Sequence, residues 1–189
     1  MEKERDDGLP METQLQEGEQ AENQVAVLTV SDRGARGERE DRSGKVIAEM
    51  VRSAGWNVAV YKIIPDEKEI IKTELIKLAE EKRVDLVLTT GGTGVAPQDL
   101  TPDATLEIIT REVPGMAEAM RRESLKKTPH AMLSRAVCGL RGKTLIVNLP
   151  GSPRAVQECL EVVMPAIPHA LELLRGEVSD CGALPPAIE

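Results

Sequence analysis

The run Thr89-Thr90-Gly91-Gly92-Thr93-Gly94 is followed within ten residues by two aspartates, Asp99 and Asp103. Glycines let backbone N–H groups turn towards an anion, and the hydroxyls of Thr90 and Thr93 add further donors. The run is neither a Walker A loop, since no GK[ST] follows, nor a GxGxxG fingerprint. A third aspartate, Asp66, stands in a Pro-Asp turn upstream. Carboxylates beside phosphate oxygens repel them unless a cation bridges the two. Mg²⁺ is the usual bridge, held by one or two carboxylates together with substrate phosphate oxygens. No Ser–His pair and no matched general acid and base accompany these groups, which points to phosphoryl or nucleotidyl transfer. Each feature also has a plain structural reading. The glycines would serve an ordinary tight turn, and Asp66 and Asp103 would cap helices and oppose their dipoles. Asp99 sits in mid-loop without such a role and is the leading catalytic candidate.

The elements that must position these residues alternate. Val25–Val30 (VAVLTV) is an apolar β-branched run ended by Ser31-Asp32-Arg33-Gly34, a strand followed by a charged loop. Val46, Ile47, Met50, Val51 and Ala54 recur at helical spacing, and Gly55 stops that helix. Val58–Ile64 is a second strand. Asp66 and Glu69 form a capping-box pattern ahead of Ile70, Ile71, Leu75, Ile76 and Leu78. Val84–Thr90 is a third strand that runs straight into the glycines. Thr101-Pro102-Asp103 opens a helix with Thr as N-cap and Pro at N1. Residues 115–127 read as another helix. Thr144–Asn148 is a further strand, and residues 136–140 pair with it as a hairpin across Arg141-Gly142-Lys143. A long helix runs from Pro153 to about Leu174, kinked or split at Pro165 and Pro168. Strands apolar on both faces and alternating with helices predict a three-layer α/β/α sandwich around a mostly parallel sheet. In such a sheet ligands bind outside the C-terminal strand ends. The loops at Ser31–Gly34, Pro65-Asp66, Gly91–Asp103 and Pro150–Ser152 would meet there.

Composition bounds the partners. Only 1% of the 189 residues are aromatic (Trp56 and Tyr61), and the net charge is −8, so stacking platforms and phosphate-binding basic stripes are both missing. Nucleic acid is excluded as a partner. Residues 1–24 hold eight acids against two bases, which leaves the remainder nearly neutral. Residues 1–23 read as a disordered acidic tail, 24–182 as one ligand-binding domain and 183–189 as a flexible tail. The acidic start does not read as a signal peptide. No apolar stretch approaches the roughly 18 residues of a membrane span, so a cytoplasmic location is expected. Cys138, Cys159 and Cys181 are too scattered for a disulfide framework or a metal knuckle. His130 and His169 are likewise isolated.

The run Thr89–Thr105, TTGGTGVAPQDLTPDAT, resembles the signature of the molybdenum-cofactor biosynthesis family, in particular its molybdopterin adenylyltransferase (MogA/MoaB-like) members. Four further motifs carry the resemblance across about residues 25–182: SDR from Ser31, IPD at Ile64–Asp66, LSR at Leu133–Arg135 and NLPGSP at Asn148–Pro153. It implies a homotrimer that binds MgATP and molybdopterin and transfers AMP to the terminal phosphate of the pterin, ahead of a molybdenum-insertion protein. By the same resemblance, Asp66 and Asp99 match aspartates tied to Mg²⁺ and catalysis. Gly91, Gly92, Thr93 and Gly94 match the glycine loop beside Thr90, and Asp103 matches the acid of the TPD turn. Asn148, Pro150, Gly151 and Ser152 match a second ligand loop. Ser31 and Asp32 lie in the SDR loop, and Ser134 and Arg135 match a pair on the pterin side. The chain departs at Pro97-Gln98-Asp99, where many relatives carry a basic residue before the aspartate. The wider superfamily also contains competence-damage-type proteins, and a non-catalytic pterin-binding paralogue is the alternative to the enzyme.

Overall fold

The computed structural model describes residues 22–177. The C-terminal tail, Cys181 and most of the acidic segment lie outside them. Six strands form one sheet: β1 (Gln24–Val30), β2 (Asn57–Ile64), β3 (Leu86–Thr90), β4 (Arg111–Glu112), β5 (Cys138–Arg141) and β6 (Thr144–Leu149). Their order is β2-β1-β3-β6-β5-β4. The first four in that order are mutually parallel, β5 runs antiparallel to β6, and β4 in turn runs antiparallel to β5. The three-layer sandwich and the hairpin between β5 and β6 are therefore as expected. The two-residue β4 is not visible as a sequence pattern, because Arg111 and Glu112 are polar and exposed.

Alternation along the buried strands explains why they read as unbroken apolar runs. Val25, Val27, Leu86, Leu88, Leu145 and Val147 face one side, while Ala26, Leu28, Val87 and Ile146 face the other. On the first side lie α2 (Arg42–Ser53), α5 (Pro114–Leu125), α6 (Pro153–Val163) and α7 (Ile167–Arg175); on the second lie α3 (Lys68–Glu80) and α4 (Thr101–Ile108). The apolar stripes of α5, α6 and α7 thus pack on the chain's own sheet. A 3-10 turn at Met164–Ala166 separates α6 from α7, where the two prolines were expected to interrupt one helix. Among the described residues, no helix is long and apolar enough to cross a membrane.

Three local expectations need correction. The Ser31–Gly34 loop contains a single helical turn, α1 (Asp32–Ala35), capped by the Ser31 hydroxyl accepting from Gly34 N–H at 3.1 Å. Helix α2 begins four residues before its apolar pattern, because Asp41 caps it through Gly44 N–H at 2.8 Å. The N-cap of α3 is Glu67 rather than Asp66, and it makes no side-chain cap.

Polar side chains also hold the sheet to α4. Asn148 is fully buried and donates to the hydroxyls of Thr89 and Thr105, both at 3.0 Å, while its carbonyl accepts from Val137 N–H at 3.3 Å. Asn148→Ala removes all three bonds and leaves buried groups unpaired, which costs about 1–3 kcal/mol. Asn148→Asp would cost more, since it buries a charge without a cation. Urea unfolding measures both, and an alanine variant as stable as the parent would show that the network does not hold the fold.

Candidate functional site

All four parallel strands end on one edge, and the loops that leave them interlock through backbone. Gly91 and Gly92 both adopt positive φ, 97° and 62°. A Cβ on Gly91 would run into the Val30 carbonyl, and one on Gly92 would stand 2.6 Å from the Thr101 hydroxyl. Thr101, expected as the N-cap of α4, is instead its first residue, with Pro102 second. Its N–H donates to Gly92 O at 3.1 Å and its hydroxyl to Gly91 O at 2.9 Å. The helix start therefore fixes the glycine turn. From the other side, Thr90 donates to Pro150 O at 2.6 Å and Ser43 to Gly151 O at 2.8 Å.

The carboxylates take different partners from those the sequence suggests. Asp66 and Asp32 clasp each other's backbone: Asp32 N–H donates to Asp66 Oδ2 at 2.7 Å, and Asp66 N–H donates to Asp32 Oδ1 at 2.9 Å. The clasp extends the β1–β2 ladder, whose last bond is Ser31 N–H to Ile64 O at 2.8 Å. Burial pushes the Asp66 carboxyl above its ordinary range. The Asp32 amide opposes that shift, and the negative charges of Asp32 and Asp99 add to it. Asp99 does have a structural role, because its Oδ2 accepts from Ala96 N–H at 2.8 Å and closes a turn with Asp99 N–H to Ala96 O at 2.9 Å. Each of the two carboxylates keeps one oxygen without a protein hydrogen bond among the described residues. Asp103 is paired with Arg135, which holds its carboxyl below the usual range.

Two clefts flank the glycine loop. One of about 300 Å³ is lined by polar and backbone groups, including Ser31, Asp41, Ser43, Thr90, Gly92 and Gly151. The other, of about 260 Å³, is walled mainly by apolar side chains such as Met120, Leu133, Pro150 and Ala155, with Thr93, Gly94 and Ser134 on its rim. Asp99, Asp103 and Arg135 face a separate open depression with Lys68. Ser152 caps α6 through Ala155 N–H at 3.3 Å, and Asn148 lies beneath the edge with its polar atoms engaged. Sequence reading missed the 39–43 segment that lines the polar cleft. Its signal is the Asp41 cap, whose other oxygen accepts from Thr29 and Tyr61 hydroxyls at 2.6 and 2.5 Å. Among the described residues, no three His, Cys, Asp or Glu side chains gather as a ready-made metal site.

The family described as "Probable molybdopterin binding domain" matches residues 26–169. The molybdopterin adenylyltransferase of Helicobacter pylori is 47% identical over 154 residues, covering 80% of this chain and 88% of that protein. That of Escherichia coli K12 is 40% identical over 166 residues, covering 80% and 85%. Among solved structures, the molybdopterin biosynthesis enzyme MoaB of Thermus thermophilus superposes with a TM-score of 0.77 at 52% identity, covering 82% of this chain and 97% of that one.

The electrostatics of Asp66 generate a test. Its carboxyl binds a proton more tightly in the folded than in the unfolded chain, so stability is lost as pH rises from the ordinary aspartate range through the raised folded value. Asp66→Asn keeps an acceptor for Asp32 N–H and removes the charge. Without divalent cations the variant should melt at or above the temperature of the parent at neutral pH. The gap should close as pH falls and Asp66 becomes protonated in the parent. Thermal melts across pH 3–8 check this, and a lower melting temperature for the variant throughout would refute it.

Proposed function

The chain belongs to the family of probable molybdopterin-binding domains, and we propose that it transfers an adenylyl group from MgATP to the terminal phosphate of molybdopterin. An oxygen of that phosphate attacks the α-phosphorus of ATP, and a new P–O bond forms. The bond from the α-phosphorus to the oxygen bridging to the β-phosphate breaks, and pyrophosphate leaves with the electron pair. The observation that carries this reading is the pairing of Asp66 and Asp99, each with an uncommitted oxygen, beside a glycine turn that has no room for side chains.

The donor set fits Mg²⁺ bound together with substrate, because two single carboxylate oxygens are what that ion commonly takes from a protein beside phosphate ligands. Bound Mg²⁺ would neutralise charge on the phosphate oxygens as the transfer proceeds. The chain's own part is positioning. The polar cleft, with Arg39 and Arg42 in its lining, suits a phosphate-bearing group, and the apolar cleft across the glycine loop suits a flat heterocycle. Holding the two substrates on either side of one turn would make the attack effectively intramolecular. A domain of residues 24–182 in the cytoplasm accords with this reading.

Incubating the protein with MgATP and molybdopterin should yield AMP-bearing pterin and equimolar pyrophosphate. Binding of molybdopterin without pyrophosphate release would favour the non-catalytic alternative, which Gln98 in place of a basic residue leaves open. Asp99→Asn should lower kcat by about a hundredfold or more, the scale of a lost metal-linked contact, while the fold persists. Unchanged turnover at saturating Mg²⁺ would remove Asp99 from the chemistry.

The active assembly in this reading is a homotrimer. Leu125 and Met132 remain 43 and 68% exposed and leave apolar surface for a neighbouring copy. Sedimentation at micromolar concentration should give a species near three times 20.6 kDa. A dominant monomer would refute the trimer.

A further inference from the structure

We infer that Arg135 is a positioning residue that sets the Asp99 carboxylate by clamping the loop from Gly94 to Asp103, rather than a ligand for substrate. The side chain reaches both ends of that loop. Its Nε donates to Gly94 O at 2.7 Å, Nη1 to Asp103 Oδ1 at 3.2 Å, and Nη2 to Asp103 Oδ2 at 2.9 Å and also to Asp99 O. Four of the five guanidinium N–H donors are thereby committed within the protein. Its backbone N–H donates to Thr93 O at 2.9 Å, so one residue grips the glycine loop and the aspartate loop together.

Leu100 packs on the core and Thr101 bonds to Gly91 and Gly92, but the stretch from Val95 to Asp99 has little else to hold it. Val95, Pro97 and Gln98 are exposed, and the turn closed by Asp99 and Ala96 is internal to the loop. That turn fixes the Asp99 side chain relative to its own backbone but not relative to Asp66. Arg135 ties that turn to the rest of the edge, since it holds the Asp99 carbonyl and anchors to Asp103 at the start of α4. Lysine would keep the positive charge but not the planar fork that reaches four acceptors on three residues at once.

This inference rests on the adenylyl-transfer reading for its kinetic arm, and a second arm is independent of activity. In Arg135→Lys, kcat should fall by about tenfold to a hundredfold, the range that a misplaced catalytic group costs. KM for both substrates should stay within about threefold. Adding Asp99→Asn to that variant should cost far less than it does in the parent, because the two residues act through one contact. Hydrogen exchange of the amides in 94–100 should accelerate at least tenfold in the variant, with exchange in the central strands unchanged. A raised KM with unchanged kcat would overturn the inference and make Arg135 a substrate contact. Fully additive effects, or unaltered exchange in 94–100, would overturn it as well. If the parent protein shows no adenylyl transfer, the exchange result still decides whether Arg135 clamps the loop, and the failure lies with the proposed reaction.

Discussion

The functional edge depends on three backbones passing one another without side chains between them. Gly91 passes so close to the Val30 carbonyl that any Cβ would collide, and Gly151 lies on its other side, where a Cβ would sit in ordinary contact with Gly91 Cα at 3.5 Å. That proximity follows from the parallel order β2-β1-β3-β6, which delivers the ends of β1, β3 and β6 side by side. It also explains why the hydroxyls nearby, Thr90, Thr101 and Ser43, all donate to carbonyls of the crossing loops. They take up the carbonyls, which would repel a phosphate. The polar cleft opens onto the loops that remain.

The same constraint divides the site into two surfaces of different chemistry. On the β1 and β2 side, the 31–44 segment contributes caps, hydroxyls and charged side chains. On the β5 and β6 side, α5 and α6 contribute methionine, alanine and a buried thiol, Cys159. Burial pushes that thiol above its ordinary range, so it behaves as an apolar wall rather than a nucleophile. One turn of four residues is therefore in contact with both a polar and an apolar cavity, an arrangement suited to a ligand pair joined at phosphate.

What the sequence makes legible follows from the range of the interactions involved. Strands buried on both faces announce themselves as β-branched runs, and the hairpin, the split at Pro165 and the loops at the strand ends were readable for the same local reason. Asp66, Asp99 and the glycines stood out as residue types that phosphate chemistry needs. Their partners did not. The capping pattern at Asp66 and Glu69 is genuine as a spacing, yet the carboxylate reaches Asp32, 34 residues away, because a strand-edge amide offers a closer donor than the helix does. Asp99 looked unemployed because a carboxylate closing a turn onto Ala96 leaves no periodic trace. Arg135 was legible only as a candidate ligand contact, since its acceptors lie 32 to 41 residues upstream.

Asp66 and Asp103 differ in how the fold balances their charge. Both are aspartates near helix starts, and both lie partly out of solvent. Asp103 has an arginine in bidentate contact, so its charge is balanced within the chain and its carboxyl is held low. Asp66 has one backbone donor set against burial and two like-charged neighbours, and its carboxyl is held high. An arginine placed beside Asp66 would have relieved that cost while blocking its uncommitted oxygen. The chain instead commits its nearby guanidinium, that of Arg135, to the loop that carries Asp99. Asp66 thus has no cationic partner among the described residues, and in the proposed reaction a cation arriving with an anionic substrate would meet its uncommitted oxygen without displacing any bond the protein already makes.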